Sequence, residues 1–554
     1  MEINGADIFL KTLKIAGVEY IFGNPGTTEV GLLKAYYRSL SPKFILGLHE
    51  TVVTGMADGY GRASGIPGVS CVHTTVGTAN SLGMTINSFA DHSPLVVVAG
   101  VKDSRISGGN VFCGAPFYAA DLLHQYTRHA HQCLEPASIS RDTAMALHQA
   151  LAPPGGPTYL AVPENFWEAE VSAEVETLSS IDAPVADGDQ LRKAAEMLLK
   201  AERPVLLAGN ETGREEAIGM VMELAERIKA PVYSEENLSW SYLNFPNTHL
   251  LYCGPFDRES SLLKDADLLL GIGSKMFMAS GFEERPHISR DMPVIQMHPD
   301  LSQLGFPYPV RIPLAGSIRK NLEILLNLLP GDSAGTVSGE DWQKSVRDYV
   351  EKRIGRLAKD RLTVSSQDLP TIFQLLECLS KNAAPDTIVV NEGIRSGFQL
   401  QDHFDFTPER SYFGYTGGCL GWGIPAAMGI KLARPQKEVI AFVGDGSMLF
   451  SPQALWTAAR YNIGIKAVIC NNDGYMAVKS RLKDFCPGDS PDGKKEGLIG
   501  EFGNPEIDFA SLSRSFGVPA LKVEREEQLP EMVRTFLEAA GPILLEVRLE
   551  TSGL

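Results

Sequence analysis

Short apolar runs alternate along the chain with longer segments of helical character. Val69–His73, Leu95–Ala99 and Thr158–Val162 are typical of strands that are buried on both faces in a parallel sheet. Gly5–Ala16 and the Gly- and Ala-rich stretch Thr51–Gly65 predict helices between such strands. This alternation of strands and helices predicts parallel, doubly wound sheets, and therefore an α/β fold.

The alternation divides the chain into three predicted domains, which occupy residues 1–175, 183–335 and 365–554. A length of 554 residues agrees with three or four domains, each large enough for its own core. Between the second and third domains, Gly335–Gln367 is polar and charged. This stretch has one predicted helix, Asp341–Lys359, and is typical of a linker.

Composition and charge exclude several classes of protein. Hydrophobic residues make up 44% of the chain and charged residues 21%, as in a soluble globular enzyme. The net charge of −17 argues against nucleic-acid binding. The eight cysteines form no Cys-x-x-Cys pair, which favours reduced thiols. Neither a basic leader nor a membrane-length apolar run occurs, so we expect a cytoplasmic protein without membrane contact.

A sequence pattern suited to binding a metal-bound diphosphate follows two neighbouring predicted strands of the third domain. Strand Glu438–Val443 ends on Gly444–Ser447, and strand Ile465–Cys470 ends on Asn471–Tyr475. The helix between them, Pro452–Tyr461, brings both strand ends to one sheet edge. Either segment alone is most often a turn. Together they offer glycine backbone for a phosphate and oxygen ligands for a cation.

The predicted ligands of this cation are oxygen atoms that suit Mg²⁺. They are the carboxylate of Asp445, the amide oxygen of Asn472 and a backbone carbonyl near Gly474. With this spacing, Val443–Met476 resembles the thiamine diphosphate-binding motif of the thiamine-dependent 2-keto acid decarboxylase and acetohydroxyacid synthase superfamily. The resemblance implies thiamine diphosphate and Mg²⁺ as cofactors. It also implies a pyrimidine-binding, a central and a diphosphate-binding domain, in this order.

Glu50 is the second residue that the resemblance singles out. A carboxylate at this place could equally cap the helix that follows. The surrounding segment, Leu48–Tyr60, matches the same superfamily. A glutamate there hydrogen-bonds N1′ of the thiamine aminopyrimidine and promotes removal of the C2 proton, and the resemblance implies this role for Glu50.

A third segment, Gly417–Ala427, also matches the superfamily. In its members a bulky apolar residue lies between the two cofactor rings, and a backbone carbonyl accepts a hydrogen bond from the 4′-amino group. The resemblance gives these roles to Leu420 and to Gly418. Without the resemblance, Leu420 would be an ordinary core residue.

Three N-terminal segments, Phe22–Glu29, Val72–Asn80 and Asp91–Leu95, resemble the benzoylformate decarboxylase branch. This resemblance implies that His73 transfers protons, although a histidine in that place is otherwise most often a hydrogen-bonded core residue. It places Thr27 where the branch has a serine that touches the substrate carboxylate.

A second catalytic histidine of the branch falls near Ser280 in this chain, and the next histidine is His287. This departure argues against benzoylformate itself as the substrate. The side chains expected to line the pocket do not choose between aromatic and aliphatic substrates; they are Thr27, His73, Phe117, Ser280, Phe398, Trp422 and Met476. In the central domain, Gly271–Gly273 is too weak a pattern to assign a nucleotide site, so we prefer a structural interpretation. The long stretch Leu482–Pro505 is interpreted as a surface loop or a lid.

The resemblance therefore implies a set of site residues and an activity. The catalytic residues are Glu50, His73 and Thr27. The cofactor-binding residues are Glu50, Gly418, Leu420, Gly444, Asp445, Gly446, Ser447, Asn472, Gly474 and Tyr475, of which Asp445, Asn472 and Gly474 bind the metal. The expected activity is that of a lyase that decarboxylates a 2-keto acid to an aldehyde, with carboligation to an aldehyde acceptor as a further reaction. The alternatives are an acetohydroxyacid synthase-like carboligase and a non-catalytic subunit of the same fold.

Glu50 and Asp445 lie in different predicted domains, yet both are expected to contact one small cofactor. In the superfamily, the first domain of one subunit faces the third domain of its partner. We therefore expect a homodimer or homotetramer with active sites at the subunit interface.

Overall fold

The structure is a computed structural model. It describes residues 3–106, 109–114, 118–172, 174–176, 182–236, 240–278, 287–306, 308–330, 338–363, 368–485 and 500–550. Three six-stranded parallel sheets follow one another along the chain, each flanked by helices. The predicted α/β fold with three doubly wound sheets is confirmed.

The first domain is built around the sheet β3-β2-β4-β5-β7-β6 and has β1 paired antiparallel with β8. Its strands are β1 (Ile3–Asn4), β2 (Tyr20–Asn24), β3 (Lys43–Leu46), β4 (Gly68–His73), β5 (Leu95–Val101), β6 (His129–Gln132), β7 (Thr158–Pro163) and β8 (Glu170–Val171). Its helices are α1 (Gly5–Ile15), α2 (Val30–Ser39), α3 (Glu50–Ser64), α4 (Thr74–Ala90) and α5 (Ile139–Leu151).

The central domain has the strand order β11-β10-β9-β12-β13-β14, the order of dinucleotide-binding folds. Its strands are β9 (Pro204–Ala208), β10 (Val232–Ser234), β11 (Tyr252–Pro255), β12 (Leu268–Ile272), β13 (Val294–His298) and β14 (Ile312–Ala315). Its helices are α6 (Gly188–Lys200), α7 (Asn210–Arg214), α8 (Ile218–Ile228), α9 (Ser261–Asp265) and α10 (Ile318–Leu328).

A long helix, α11 (Glu340–Arg361), connects the central and third domains. One side of this predicted linker helix is packed, because Trp342, Val346 and Val350 belong to a core of the central domain. Arg353 Nη2 also donates to Asp402 of the third domain at 2.7 Å. The helix therefore holds these two domains together.

The third domain has the strand order β16-β15-β17-β18-β20-β19. Its strands are β15 (Ile388–Glu392), β16 (Ser411–Phe413), β17 (Val439–Gly444), β18 (Lys466–Asn471), β19 (Ala520–Val523) and β20 (Ile543–Arg548). Its helices are α12 (Ile372–Asn382), α13 (Arg395–His403), α14 (Gly423–Ala433), α15 (Asp445–Met448), α16 (Ala454–Arg460), α17 (Met476–Phe485), α18 (Phe509–Ser515) and α19 (Leu529–Glu538).

The first and third sheets share one topology. In both, the second strand of the parallel sheet lies outside the first, and the remaining strands lie on the other side. The chain therefore reverses direction between β2 and β4 in the first sheet, and between β15 and β17 in the third. Ligands of open α/β sheets bind at the carboxyl ends of strands at such a reversal.

Helices α3 and α14 join these two domains through glycine contacts. A Cβ atom added to Gly59 would lie 2.2 Å from the carbonyl oxygen of Ala426, and one added to Gly429 would lie 2.0 Å from that of Met56. A buried ion network reinforces the contact: Arg62 binds Asp58 at 2.8 Å and Asp91 at 3.0 Å. Any side chain larger than hydrogen at the glycines would push the helices apart.

None of the helices in the described ranges combines the length and apolarity needed to cross a membrane.

The close approach of α3 and α14 makes a testable prediction. Gly59→Ala is expected to lower the free energy of unfolding by about 1–3 kcal/mol, because the new methyl group overpacks a backbone contact. Gly355→Ala, in α11, is the matched control, since a Cβ there would meet no atom within 4 Å. It is expected to raise stability by up to about 1 kcal/mol through helix propensity. Urea unfolding measures the free energy of unfolding of both variants. Equal values for the two variants would contradict the close packing inferred at Gly59.

Candidate active site

Asp445 begins α15 at the carboxyl end of β17, beside the reversal in the third sheet. Its carboxylate accepts hydrogen bonds from the backbone N–H groups of Gly446 at 2.7 Å, Asn472 at 3.1 Å and Gly474 at 3.0 Å. No cationic side chain among the described residues forms an ion pair with it. Burial raises the pKa of Asp445 to about 6, although the three N–H groups act in the opposite direction. A divalent cation would supply the charge that this site lacks.

Asn472 follows β18 and has a buried amide oxygen, Oδ1, that accepts no hydrogen bond within the described part of the chain. Such an unsatisfied buried atom is unfavourable and calls for a partner. The carbonyl of Gly474 accepts one hydrogen bond, from Met476 at 2.9 Å, which leaves a lone pair. Asp445, Asn472 and Gly474 therefore fit Mg²⁺, which is typically bound by few protein oxygens together with phosphate and water.

The described ranges contain no group of three or more His, Cys, Asp or Glu side chains that could hold a metal ion by themselves. One carboxylate with an amide and a carbonyl is the donor set expected when a diphosphate completes the coordination. The backbone at this place is closely packed, because a Cβ at Gly446 would lie 2.6 Å from the ring of Tyr475. Ser447 is buried in the same turn.

The segment Gly418–Leu420 is fixed from two sides. Glu392, at the end of β15, accepts hydrogen bonds from the N–H groups of Gly421 at 2.6 Å, Trp422 at 3.0 Å and Gly423 at 2.7 Å, and so caps α14. Burial raises the pKa of Glu392 to about 7. From the first domain, Asn87 donates to the carbonyl of Cys419 at 2.9 Å and accepts from its N–H at 3.0 Å.

Gly418 has φ +83°, which favours glycine, and a Cβ there would meet nothing within 4 Å. Leu420 is partly exposed. Both residues thus border open space at the same sheet edge as Asp445, where they can hold the rings of a bound cofactor.

Glu50 is the first residue of α3 and is buried. Its Oε2 accepts a hydrogen bond from Asn80 Nδ2 at 3.1 Å. A Cβ at Gly77 would lie 3.1 Å from the other carboxylate oxygen. His49 is the N-cap of the helix and accepts from Thr51 N–H at 3.1 Å, so His49, rather than Glu50, performs the capping role. The carboxylate of Glu50 is left for another partner.

His73 ends β4 at the reversal in the first sheet. Its Nδ1 lies 2.9 Å from Thr28 Oγ1 and 3.1 Å from Glu29 Oε2. Glu29 is fully buried and also accepts from the N–H groups of Gly26 at 2.7 Å and Gly100 at 2.8 Å. Burial raises the pKa of Glu29, while the hydrogen bonds from Gly26 and Thr28 and the nearby His73 partly offset that effect.

An ionised carboxylate only accepts hydrogen bonds, so Glu29 selects the tautomer of His73 with hydrogen on Nδ1. No described residue forms a hydrogen bond with Nε2, and the side chain is 22% exposed. Nε2 is therefore the nitrogen that can accept or donate a proton at the sheet edge. Gly26 must be glycine here, because a Cβ would lie 2.3 Å from Nδ1.

Backbone strain occurs next to both sheet reversals. Thr74, directly after β4, has φ 46°, and Ile394, after β15, also has φ 46°. Positive φ values are unfavourable for β-branched residues, and such strain concentrates at functional sites.

The structure gives the contacts of the individual predicted residues. Thr28 and not Thr27 contacts His73; Thr27 is exposed. Trp422 does not line a pocket, because it is fully buried and donates to Asp58 at 2.6 Å. Ser280 and Phe117 lie outside the described residues.

The predicted loop Leu482–Pro505 begins as helix, since α17 extends to Phe485. Residues 486–499 lie outside the described ranges.

Four functional contacts were not assigned from the sequence. Glu29 and Asn80 stand within segments that carried the resemblance, and Glu392 lies outside them; only their spatial partners distinguish these residues. The sequence gives only a weak indication of the role of Asn87. An asparagine inside a helix lowers helix stability unless its side chain forms a hydrogen bond elsewhere.

Glu50 and His73 have no direct contact with Asp445 in the structure. Among the described residues, no hydrogen bond or ion pair joins the two groups. Apolar side chains that follow the carboxyl ends of strands in both domains are exposed; they are Leu48, Val76, Phe450 and Val478. Exposed apolar side chains of this kind are typical of a contact surface when they lie together.

The corresponding edge of the central sheet is filled by the chain itself. A Cβ at Gly209 would lie 2.4 Å from the carbonyl of Gly273, so the glycines pack against each other. Asn210 accepts from Ser241 N–H at 2.9 Å, and the buried Glu235 accepts from Lys275 N–H at 2.6 Å. These contacts support the structural interpretation of Gly271–Gly273.

Comparison with known proteins agrees with this geometry. Three family models match successive parts of the chain: the thiamine pyrophosphate enzyme N-terminal TPP binding domain at residues 3–132, the central domain at 191–325 and the C-terminal TPP binding domain at 395–547. The chain therefore belongs to the thiamine pyrophosphate enzyme family. Its cofactor is thiamine diphosphate with Mg²⁺, as the resemblance implied.

Individual relatives include decarboxylases and an acetolactate synthase. The chain is 30% identical to the benzoylformate decarboxylase of Pseudomonas aeruginosa over 552 residues, 97% of each protein. It is 25% identical to the acetolactate synthase large subunit of Haemophilus influenzae over 550 residues, 95% of this chain and 91% of the relative. Among solved structures, the thiamine diphosphate-dependent 4-hydroxybenzoylformate decarboxylase of Rhodococcus jostii RHA1 matches with a TM-score of 0.85 at 27% identity, covering 99% of each chain.

The metal site makes a prediction about cofactor affinity. Asp445→Asn removes the charged ligand and turns an amide N–H group toward backbone donors, so we expect the dissociation constant of Mg²⁺-thiamine diphosphate to rise about 100-fold or more. Asp473→Asn is the matched control, because Asp473 pairs with the half-exposed Arg548 at 3.2 Å. Fluorescence titration of both variants measures the affinities. Unchanged binding by Asp445→Asn would rule out this ligand.

Proposed function

We propose that the protein is a lyase that decarboxylates a 2-keto acid without oxidation and releases an aldehyde, in the manner of benzoylformate decarboxylase. The same site can join the product carbon to an aldehyde acceptor and give a 2-hydroxy ketone. The observation that carries the proposal is the histidine at the reversal of the first sheet. His73 is held at Nδ1 by Glu29 and Thr28 and leaves Nε2 available.

Bound thiamine diphosphate supplies the carbon nucleophile and the electron sink for decarboxylation. The chain's own residues then have distinct roles. Glu50 holds a proton at N1′ of the aminopyrimidine. His73 Nε2 donates and accepts protons at the reacting carbon, since imidazole changes charge near neutral pH. Asp445, Asn472 and Gly474 bind Mg²⁺, while Gly418, Leu420, Gly444, Gly446, Ser447 and Tyr475 contact the cofactor.

We also propose that two copies of the chain complete each site, within a homodimer or homotetramer. The exposed apolar side chains near both strand edges, and the location of Glu50 and Asp445 in different domains without a direct contact, support this arrangement. Cyclic twofold association would place the first domain of one subunit against the third domain of the other at two equivalent sites.

The activity is tested by measuring CO₂ release from a panel of 2-keto acids, including benzoylformate, pyruvate and branched aliphatic acids. We expect the preferred acid to give the corresponding aldehyde. Glu50→Gln is expected to lower kcat about 10²–10⁴-fold with cofactor still bound, because the proton at N1′ is no longer shared with a carboxylate. Glu170→Gln, at an exposed glutamate, is the control. Activity of Glu50→Gln close to that of the control would contradict the role.

Similarity to an acetolactate synthase favours one second candidate, a carboligase that joins two 2-keto acids. Product analysis with pyruvate distinguishes the two activities. The decarboxylase releases acetaldehyde, whereas the carboligase forms acetolactate.

Glu29 makes a separate prediction for the proton-transfer step. Glu29→Gln preserves shape but presents an amide N–H group to His73 Nδ1, which selects the opposite tautomer. We expect kcat to fall about 10²-fold or more while cofactor affinity stays close to that of the wild type. The melting temperature is expected to fall as well, because the new amide N–H group faces the backbone N–H of Gly26 or of Gly100. A fall in stability without a fall in kcat would assign Glu29 a structural role only.

A further inference from the structure

A cavity of about 370 Å³ lies where the three domains meet. Its walls come from the end of α3, from the segment between α7 and α8, and from β16 with the loop before it. The residues that decide its chemistry are Arg62, Arg214, Tyr242, Arg410, Phe413 and Arg434. None of them belongs to the proposed cofactor site.

The cavity lies at the other end of the third domain from that site. It is bordered by Ile388, the first residue of β15, whereas Glu392 at the last position of β15 borders the cofactor edge. Four residues of strand span about 13 Å. Arg434 likewise follows the carboxyl end of α14, and the cofactor segment precedes its amino end.

The wall of the cavity is strongly cationic, with four arginines and one glutamate, Glu216. Two of the arginines are neutralised: Arg62 by Asp58 and Asp91, and Arg214 by Glu211. For Arg410 and Arg434, no carboxylate of a described residue lies within ion-pair distance. The cavity therefore has two positive charges that the chain does not balance directly.

Arg410 is the more informative of the two, because it is 8% exposed. Its Nη1 donates to the Asp405 carbonyl at 2.7 Å and to Ser380 Oγ at 3.2 Å. Its Nη2 donates to the carbonyls of Ser380 at 2.9 Å and Ala383 at 3.4 Å. Its Nε is buried and has no hydrogen-bond acceptor among the described residues. Burial lowers the pKa of Arg410. A buried cation with an unsatisfied N–H group gains stability from an anion.

The remaining wall is apolar and aromatic. Tyr242 and Phe413 contact edge to face with ring centroids 5.5 Å apart, and Leu243 and Ile218 lie beside them. Such a surface fits the body of an organic ligand, and the volume is that of a small-molecule site. Inorganic anions would leave this surface in contact with water.

We propose that the three-domain cavity binds an organic anion of metabolite size, with its phosphate or carboxylate group at Arg410 and Arg434 and an aromatic body against Tyr242 and Phe413. Because the walls belong to three domains, the bound anion stabilises their arrangement. This site is independent of the proposed lyase activity.

The test uses the wild-type protein loaded with Mg²⁺-thiamine diphosphate and dialysed free of phosphate. Phenyl phosphate and phthalate represent the two oxyanion classes, and inorganic phosphate lacks the aromatic body. By calorimetry we expect at least one aromatic anion to bind with a dissociation constant of about 10 µM to 1 mM and to raise the melting temperature. Inorganic phosphate is expected to bind about tenfold more weakly.

Arg434→Gln alters an exposed side chain and carries little risk for folding. It is expected to weaken binding of the aromatic anion about tenfold. Arg410→Lys keeps the charge but removes the planar donors, and is expected to weaken binding further. Arg534→Gln, an exposed arginine of α19, is the matched control and is expected to bind as the wild type does. The proposal is overturned if neither aromatic anion binds at millimolar concentration, or if Arg434→Gln binds as tightly as Arg534→Gln.

Discussion

The contact between α3 and α14 is the constraint on which the rest of the structure depends. It is made at glycines, where backbone approaches backbone, and the buried pair of Arg62 with Asp58 holds it. The same two helices carry predicted cofactor-binding residues at their amino ends. Glu50 begins α3, and the segment that ends at Leu420 leads into α14. The packing of the two domains therefore fixes the directions in which the amino ends of α3 and α14 point.

This constraint also bears on the proposal that two chains complete each site. Asp58, which contacts Trp422 at the start of α14, lies about 12 Å along α3 from Glu50, given a rise of 1.5 Å per residue. Each half-site is chemically incomplete. Asp445 is a buried carboxylate without a cation, Asn472 has an unsatisfied oxygen, and His73 has a free nitrogen. Binding of the cofactor is expected to recover the stability lost at these groups.

Much of the fold followed from the sequence, because apolar runs and helical stretches alternate regularly and the motif around Asp445 has a specific spacing. The superfamily and the cofactor were confirmed, whereas the roles of single site residues stay predictions. Contacts between residues that are distant in the sequence could not be predicted in the same way. The predicted contact of Thr27 with the substrate carboxylate stays a prediction, while the contact of Thr28 with His73 became visible only in the structure. Trp422 was expected in the pocket, yet its indole N–H is bonded to Asp58. The high charge of α11 gave no sign that one side of it is packed, because helical periodicity does not show which domain a helix packs against.

The most direct test of the account is subunit complementation between Glu50→Gln and Asp445→Asn. Each variant alone is inactive if the site needs both groups. When the two are dissociated and reassociated in equal amounts, half of the dimers are mixed, and each mixed dimer has one site free of both changes. The shared-site account predicts recovery of about a quarter of wild-type activity. Absence of any recovery, with mixed dimers demonstrated by mass spectrometry, would contradict it and place the whole site within one chain.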